Sequence, residues 1–136
     1  MEIPEALHNK RILIVDDFKE LRELFSDILS FSGFITSMAA SGEEAIKLFF
    51  ENPFDLVIVD LFMPGMSGLE VISTLIKDYP DVKIIAISGG GDDHFDELDE
   101  FLLKADYKGA KKSLQKPCSP EVLLKSVVEV LSDSNG

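Results

Sequence analysis

Short apolar runs separated by amphipathic segments are the feature that most restricts the fold of this chain. Four such runs cover residues 12–15, 35–38, 56–59 and 82–87, and a weaker fifth run lies near Leu114. Between the first two runs, apolar residues show the i, i+3, i+4, i+7 spacing of a single helical stripe: Leu21, Leu24, Phe25 and Ile28. This alternation favours a parallel β-sheet covered by helices, and hence an α/β fold.

Local signals mark where the other helices begin. Two serines followed three residues later by a glutamate have the spacing of a capping box, namely Ser41 with Glu44 and Ser67 with Glu70. Ser119 followed by Pro120 predicts a last helix that ends near Leu131. A further helix is predicted within residues 92–110, with apolar residues on one side and acids on the other. The sequence therefore predicts five strands alternating with five helices.

Length and composition restrict the organisation and the class of partner. The 136 residues suit one domain, which we place at residues 10–131, with an N-terminal extension at 1–9 and a frayed tail at 132–136. A net charge of -12 argues against a direct nucleic-acid ligand, because such binding depends on Lys and Arg. No apolar stretch is long enough to span a membrane, and Cys118 is the only cysteine, so a cytoplasmic location is expected.

Acidic side chains follow the predicted strands at the edge where an open α/β sheet binds ligands. The first strand leads into Asp16 and Asp17, the third into Asp60, and the fourth into Ser88. The fifth leads into Lys116. If these strands are neighbours, three carboxylates, a hydroxyl and an ammonium collect at one edge. Each residue alone also fits a turn, a cap or a solvated charge, and only their joint placement indicates a site.

The chemistry of such a cluster is that of phosphoryl transfer. Three converging carboxylates repel one another unless a hard cation lies among them, and Mg²⁺ accepts carboxylate, water and phosphate oxygens. With the metal bound, Asp60 is suited to act as a nucleophile on phosphorus. Mg²⁺ and Lys116 would neutralise charge on the transferred group, and Ser88 would donate a hydrogen bond to it.

Four segments in this order resemble the receiver domain of two-component response regulators: "ILIVDD", "DLVIVDLFMPGMSGLEVI", "IIAIS" and "KP". The resemblance extends over about residues 10–131, and the second segment is the most specific. It implies the CheY-like, flavodoxin-like (βα)5 fold, a doubly wound five-stranded parallel sheet with strand order 2-1-3-4-5. It also implies a phosphorylation-dependent signalling switch rather than an enzyme, with at most slow autodephosphorylation.

The resemblance implies a role for each site residue. Asp60 would be the phosphoacceptor and would bind Mg²⁺ together with Asp17 and the backbone carbonyl of Phe62, while Asp16 would act mainly through water. Lys116 would pair with the phosphoryl group, and Ser88 would be the switch hydroxyl. The Lys116–Pro117 bond would be cis.

The chain departs from the family pattern near its output side. Ser113 stands where many receivers carry an aromatic switch residue, and Cys118 stands where many carry phenylalanine. The segment between Ser88 and Lys116 is longer than usual, and the extra residues fall near the three glycines at 89–91. These glycines fit neither the dinucleotide nor the P-loop spacing, so we interpret them as a hinge for Ser88. The output movement is therefore expected in residues 89–108.

Partners and alternatives remain open at this stage. The implied donor is a sensor histidine kinase or a histidine phosphotransfer protein, and the output is an unknown protein or a homodimer formed on phosphorylation. The chain would be a stand-alone receiver or a receiver cut from a longer regulator. One alternative is a Mg²⁺-dependent phosphatase that forms an aspartyl phosphate, although Phe62 lies where the dehalogenase-type enzymes carry a second acid. The other is a docking module that is not phosphorylated.

Overall fold

The computed structural model describes residues 3–88 and 109–133, which form a five-stranded sheet with helices on both faces. The strands are β1 (Arg11–Val15), β2 (Ile35–Ala39), β3 (Leu56–Asp60), β4 (Ile84–Ser88) and β5 (Lys112–Gln115). The helices are α1 (Lys19–Phe31), α2 (Gly42–Glu51), α3 (Gly68–Asp78) and α4 (Pro120–Ser132), after a short 3-10 helix at Glu5–Leu7. The fifth predicted helix falls on residues outside those described.

All strand pairs are parallel, and the order β2-β1-β3-β4-β5 confirms the predicted 2-1-3-4-5 arrangement. Along β1 and β3, successive side chains point to opposite faces of the sheet, and both faces are buried. Leu13 and Val15 pack with α2 and α3, whereas Ile12 and Ile14 pack with α1 and α4. The apolar runs of the sequence are therefore central strands between two separate cores.

The predicted helix starts are confirmed in the structure. Ser41, Ser67 and Ser119 are N-caps, and each hydroxyl accepts a hydrogen bond from the backbone N–H three residues later. The predicted stripe on α1 is only partly buried, because Phe25 and Leu29 are buried while Leu24 is 51% exposed. Leu24 lies at the margin of the stripe, on the side that faces solvent, so its assignment to the buried face was wrong.

The predicted extension before residue 10 contacts the domain. Ile3 and Leu7 are buried in the core beneath α1 and α4, and the backbone N–H of Asn9 donates to the carbonyl of Gly33. Within residues 3–88 and 109–133, no helix has the length and apolar character required to cross a membrane.

Candidate functional site

Asp60 is the last residue of β3, the central strand of the sheet. Every residue of this strand is buried, and the Asp60 side chain itself is 6% exposed. One carboxylate oxygen, Oδ1, accepts a hydrogen bond of 3.1 Å from the backbone N–H of Phe62. A carboxylate can follow the buried run because the strand ends at Asp60. The neighbouring parallel strands end at the same edge of the sheet, where open α/β folds bind ligands.

Lys116 follows β5 and connects two of the acids. Its Nζ donates to Oδ2 of Asp16 at 2.8 Å and to Oδ2 of Asp60 at 3.2 Å. The backbone N–H of Lys116 donates to the carbonyl of Ser88, which joins this segment to β4. The bond between Lys116 and Pro117 is cis, as predicted. An ammonium group therefore lies between two buried carboxylates that would otherwise repel each other.

Asp16 and Asp17 follow β1 and have different environments. Asp16 is buried, and its Oδ1 accepts a hydrogen bond of 2.8 Å from the backbone N–H of Phe18. Asp17 is exposed. One carboxylate oxygen from each of Asp16, Asp17 and Asp60 lies within 4.8 Å of the others. The predicted carboxylate cluster is therefore present, with two members anchored and one facing solvent.

The loop after Asp60 turns back closely against the strand. A Cβ atom added at Gly68 would lie 2.3 Å from the carbonyl oxygen of Asp60 and 2.6 Å from the Cα of Leu61. The backbone N–H of Gly68 also donates to the carbonyl of Leu61. Only glycine permits this approach, so Gly68 places the start of α3 directly against the strand end that carries Asp60.

Burial and charge shift two ionisations in the site. Burial raises the pKa of Asp60, and the nearby charge of Asp16 adds to this, while Lys116 and the Phe62 N–H act in the opposite direction. For Lys116, burial disfavours the ammonium, but the hydrogen bond and charge of Asp16 and Asp60 outweigh it and raise the pKa. The site therefore favours the charged form of Lys116 and disfavours the ionised form of the Asp60 carboxylate.

Ser88 ends β4 beside Asp60, because Asp60 pairs with Ile87 in the sheet register. Its side chain is fully buried, and its hydroxyl has no hydrogen-bond partner among the residues that the structure describes. An unpaired buried hydroxyl costs free energy. Such a group is available to donate to a new acceptor that enters the site.

We expect Ser88→Ala to raise the free energy of unfolding of the metal-free, unmodified protein by up to about 1 kcal/mol, because it removes a buried hydroxyl that has no partner within residues 3–88 and 109–133. Chemical denaturation in EDTA measures this. Thr36→Val is the matched control in another strand, because the Thr36 hydroxyl is 2.7 Å from that of Ser26, and it should lower stability. Equal destabilisation by both variants would contradict the prediction.

The donor set fits a hard divalent cation. When all groups are ionised, three carboxylates and one ammonium leave two formal negative charges, and the cluster contains only oxygen ligands suited to Mg²⁺. The backbone of Phe62 lies next to this cluster, since its N–H contacts Asp60. The predicted metal role of the Phe62 carbonyl stays a prediction.

The departures from the family pattern lie around β5. Ser113 is in β5, opposite Ala86 of β4, and is half-buried. Burial raises the pKa of the Cys118 thiol, and the charge of Lys116 only partly offsets this. The thiol is thus kept protonated. The output movement predicted for residues 89–108 lies outside the described residues.

Sequence reasoning missed one residue beside the cluster. Arg22, in the first turns of α1, donates through a guanidinium nitrogen to the backbone carbonyl of Asp16 at 2.8 Å. Its placement near a helix N-terminus, where a cation opposes the helix dipole, did not distinguish it, since the exposed Lys19 lies in the same turn.

The comparisons with known proteins agree with this fold and arrangement. Residues 12–128 match the family described as the response regulator receiver domain. The chemotaxis protein CheY of Thermotoga maritima is 32% identical over 122 residues, which cover 89% of this chain and 97% of that protein. The chain therefore belongs to the receiver domains of two-component response regulators, the signalling modules of these systems.

Longer relatives and a solved structure place the chain in the same family. The transcriptional regulatory protein YvrH of Bacillus subtilis is 36% identical over 115 residues, which cover 84% of this chain but 46% of that protein. This chain thus spans about half the length of such relatives. The crystal structure of a CheY-like receiver domain protein from Methanospirillum hungatei JF-1 has a TM-score of 0.80 and 31% identity, covering 90% of this chain and 94% of that one.

Proposed function

We propose that this receiver domain is a phosphorylation-operated switch in which Asp60 accepts the phosphoryl group. The observation that carries the proposal is the buried Asp60 carboxylate, whose Oδ2 lies 3.2 Å from the Lys116 ammonium. The neighbouring strand β4 ends in Ser88, whose buried hydroxyl has no hydrogen-bond partner among the described residues. A nucleophile and a cation are thus in contact at the edge of the sheet where the strand that carries a hydrogen-bond donor, Ser88, also ends. Phosphoryl transfer needs little more from a protein than such positioning and charge neutralisation.

The proposed donor is a phosphohistidine on a sensor histidine kinase or on a histidine phosphotransfer protein. A carboxylate oxygen of Asp60 forms a bond to phosphorus while the bond from phosphorus to the histidine nitrogen breaks, and the released imidazole takes a proton from solvent. Lys116 stays close to the transferred oxygens, and Ser88 donates its hydroxyl to one of them. The product is an aspartyl phosphate at the end of β3.

Mg²⁺ would be held by Asp17 and Asp60, by the backbone carbonyl of Phe62, and through water by Asp16. When bound, it would supply positive charge to the phosphoryl oxygens and relieve the repulsion among the carboxylates. Exposure of Asp17 supports this role, because its carboxylate can reach a hydrated ion that enters from solvent. Asp16 already bonds Lys116 and the Phe18 N–H, which leaves it less free to bind a metal directly.

The phosphatase and docking-module alternatives receive less support. Phe62 occupies the position two residues after Asp60, where the dehalogenase-type enzymes carry an acid. A receiver that has lost phosphorylation has no use for the assembled cluster, and here Asp16, Asp60 and Lys116 are in contact. The downstream target that we propose is a protein or a second copy of this chain, met in the cytoplasm.

Incubation with acetyl phosphate and Mg²⁺, followed by intact-mass measurement, tests the proposal. We expect a mass increase of one phosphoryl group that needs Mg²⁺ and is lost on treatment with hydroxylamine, which cleaves acyl phosphates. The same incubation with EDTA is the control. Rapid turnover of phosphate monoesters would favour the phosphatase alternative, and the absence of any mass increase with acetyl phosphate or a phosphorylated kinase would favour the docking module.

We expect Asp17→Asn to weaken the stabilisation of the protein by Mg²⁺, because it removes the exposed carboxylate of the cluster. Wild type should gain about 1.4 kcal/mol of unfolding free energy at a Mg²⁺ concentration of about ten times Kd. In EDTA the variant should be more stable than wild type, since one repelling charge is gone. Asp27→Asn, an exposed acid on α1, is the control. An unchanged Mg²⁺ response in Asp17→Asn would exclude this ligand assignment.

A further inference from the structure

Arg22 reaches from α1 back to the end of β1. Its guanidinium donates to the main-chain carbonyl of Asp16 at 2.8 Å, and this contact is partly buried. The backbone N–H of Asp16 donates to the carbonyl of Ala39, and the register pairs of β1 with β3 end one residue earlier, at Val15. Loss of the guanidinium would leave a poorly solvated carbonyl in need of another donor.

Four bonds thus hold Asp16. Its N–H donates a hydrogen bond to a carbonyl of β2, and its own carbonyl accepts one from Arg22. In the side chain, Oδ1 accepts from the Phe18 N–H and Oδ2 accepts from the Lys116 ammonium. Phe18 is the N-cap residue of α1, and its own backbone N–H donates to the Asp16 carboxylate, which satisfies one of the donors at the start of the helix. Asp16 therefore anchors the start of α1 as well as the cluster.

Asp17 has no comparable anchor. Its side chain is exposed and makes no hydrogen bond or ion pair with the residues described in the structure. The peptide that joins Asp17 to Asp16 determines where the Asp17 side chain leaves the backbone, and Arg22 holds the oxygen of that peptide. A rotation of this peptide would move Asp17 relative to Asp60.

We propose that Arg22 is a positioning residue of the metal site: by bonding the Asp16 carbonyl it fixes the peptide between Asp16 and Asp17, which holds the Asp17 carboxylate within reach of a cation at Asp60. The proposal rests on the proposed function, because it concerns the same Mg²⁺ site. Residues that orient metal ligands typically change metal affinity by about 10-fold or more when they are replaced.

Two effects of Arg22 on the metal have opposite signs, which makes the proposal testable. As a nearby positive charge, Arg22 repels Mg²⁺, so its removal would tighten binding if charge were its only influence. As a positioning residue, it keeps the ligands in place, so its removal would weaken binding. Lys19 is the matched control, because it is a cation in the first turn of the same helix but is 71% exposed and forms a 4.0 Å ion pair with Glu23.

The experiment follows backbone amide shifts of labelled protein by NMR during titration with Mg²⁺, for wild type, Arg22→Met, Arg22→Lys and Lys19→Met. We expect Arg22→Met to weaken Mg²⁺ binding by about tenfold. Arg22→Lys keeps a charged donor and should recover part of this loss, whereas Lys19→Met should bind as tightly as wild type or more tightly. Binding by Arg22→Met as tight as wild type, or tighter, overturns the proposal.

Additional measurements separate the ways in which the proposal can fail. Circular dichroism shows whether each variant folds; if Arg22→Met does not, Arg22→Gln replaces it, since the shorter amide cannot span the same distance, and the same outcomes apply. Wild type that shows no saturable Mg²⁺ response in Asp60 and its neighbours refutes the proposed metal site and this inference with it. Normal binding by wild type and by the Arg22 variants refutes the inference alone.

Discussion

Asp60→Asn is expected to abolish phosphorylation of this protein. With acetyl phosphate and Mg²⁺, wild type should gain the mass of one phosphoryl group and the variant none, because an amide oxygen is too weak a nucleophile to replace the carboxylate. Asp60 is buried at the end of the central strand and contacts a cation, Lys116. Asp78→Asn, an exposed acid at the end of α3, should be labelled like wild type. Labelling that persists in Asp60→Asn would refute the assignment.

The same variant should remain folded, and the raised pKa of Asp60 gives the reason. Burial raises this pKa above its ordinary value of 3.8, so the folded protein binds the proton more tightly than the unfolded chain. Stability contributed by this group is therefore lost as the pH rises from 3.8 through the raised value. Asparagine does not ionise, so in EDTA at neutral pH we expect Asp60→Asn to melt no lower than wild type. A large fall in melting temperature would show that the loss of labelling is indirect.

Lys116→Met should destabilise the metal-free protein by about 3 kcal/mol, because it leaves two buried carboxylates without the cation between them. It should also slow phosphorylation severely, since no ammonium would remain near the transferred group. Urea denaturation in EDTA and the rate of mass increase measure the two effects. Mg²⁺ should restore part of the lost stability.

Two further variants calibrate the Lys116 result. Lys112→Met, on β5, breaks a solvent-exposed pair with Glu129 and should cost much less stability than Lys116→Met, because water screens exposed charges. The double variant Lys116→Met with Asp60→Asn should be more stable than Lys116→Met alone, because one unpaired charge is gone. If Lys116→Met loses no more unfolding free energy than Lys112→Met, water reaches the two carboxylates and the predicted destabilisation is wrong.

Much of the fold could be predicted from the sequence because its signals are local and regular. Continuous apolar runs predict strands buried on both faces, and the serine caps predict helix starts within one residue. Leu24 was misplaced because a periodic pattern gives the direction of a helical face but not its width. The strand order required the family resemblance, since periodicity carries no information on which strands are neighbours.

The contacts within the site were less predictable, because they depend on distances that a sequence does not contain. That Asp60 and Lys116 share one edge follows from parallel strands, but the bridging of Lys116 to Asp16 does not. The orphan hydroxyl of Ser88 and the bond from Arg22 to the Asp16 carbonyl arise from side-chain packing in three dimensions. Such features can be found only after the backbone is known.

The position of β3 has a consequence for how a signal leaves the site. Val57 and Val59 belong to the core beneath α2 and α3, whereas Leu56 and Ile58 belong to the core beneath α1 and α4. The strand that carries Asp60 thus contributes side chains to both packed layers, one on each face of the sheet. A small displacement at the end of β3 would therefore reach the packing on both faces of the sheet at once.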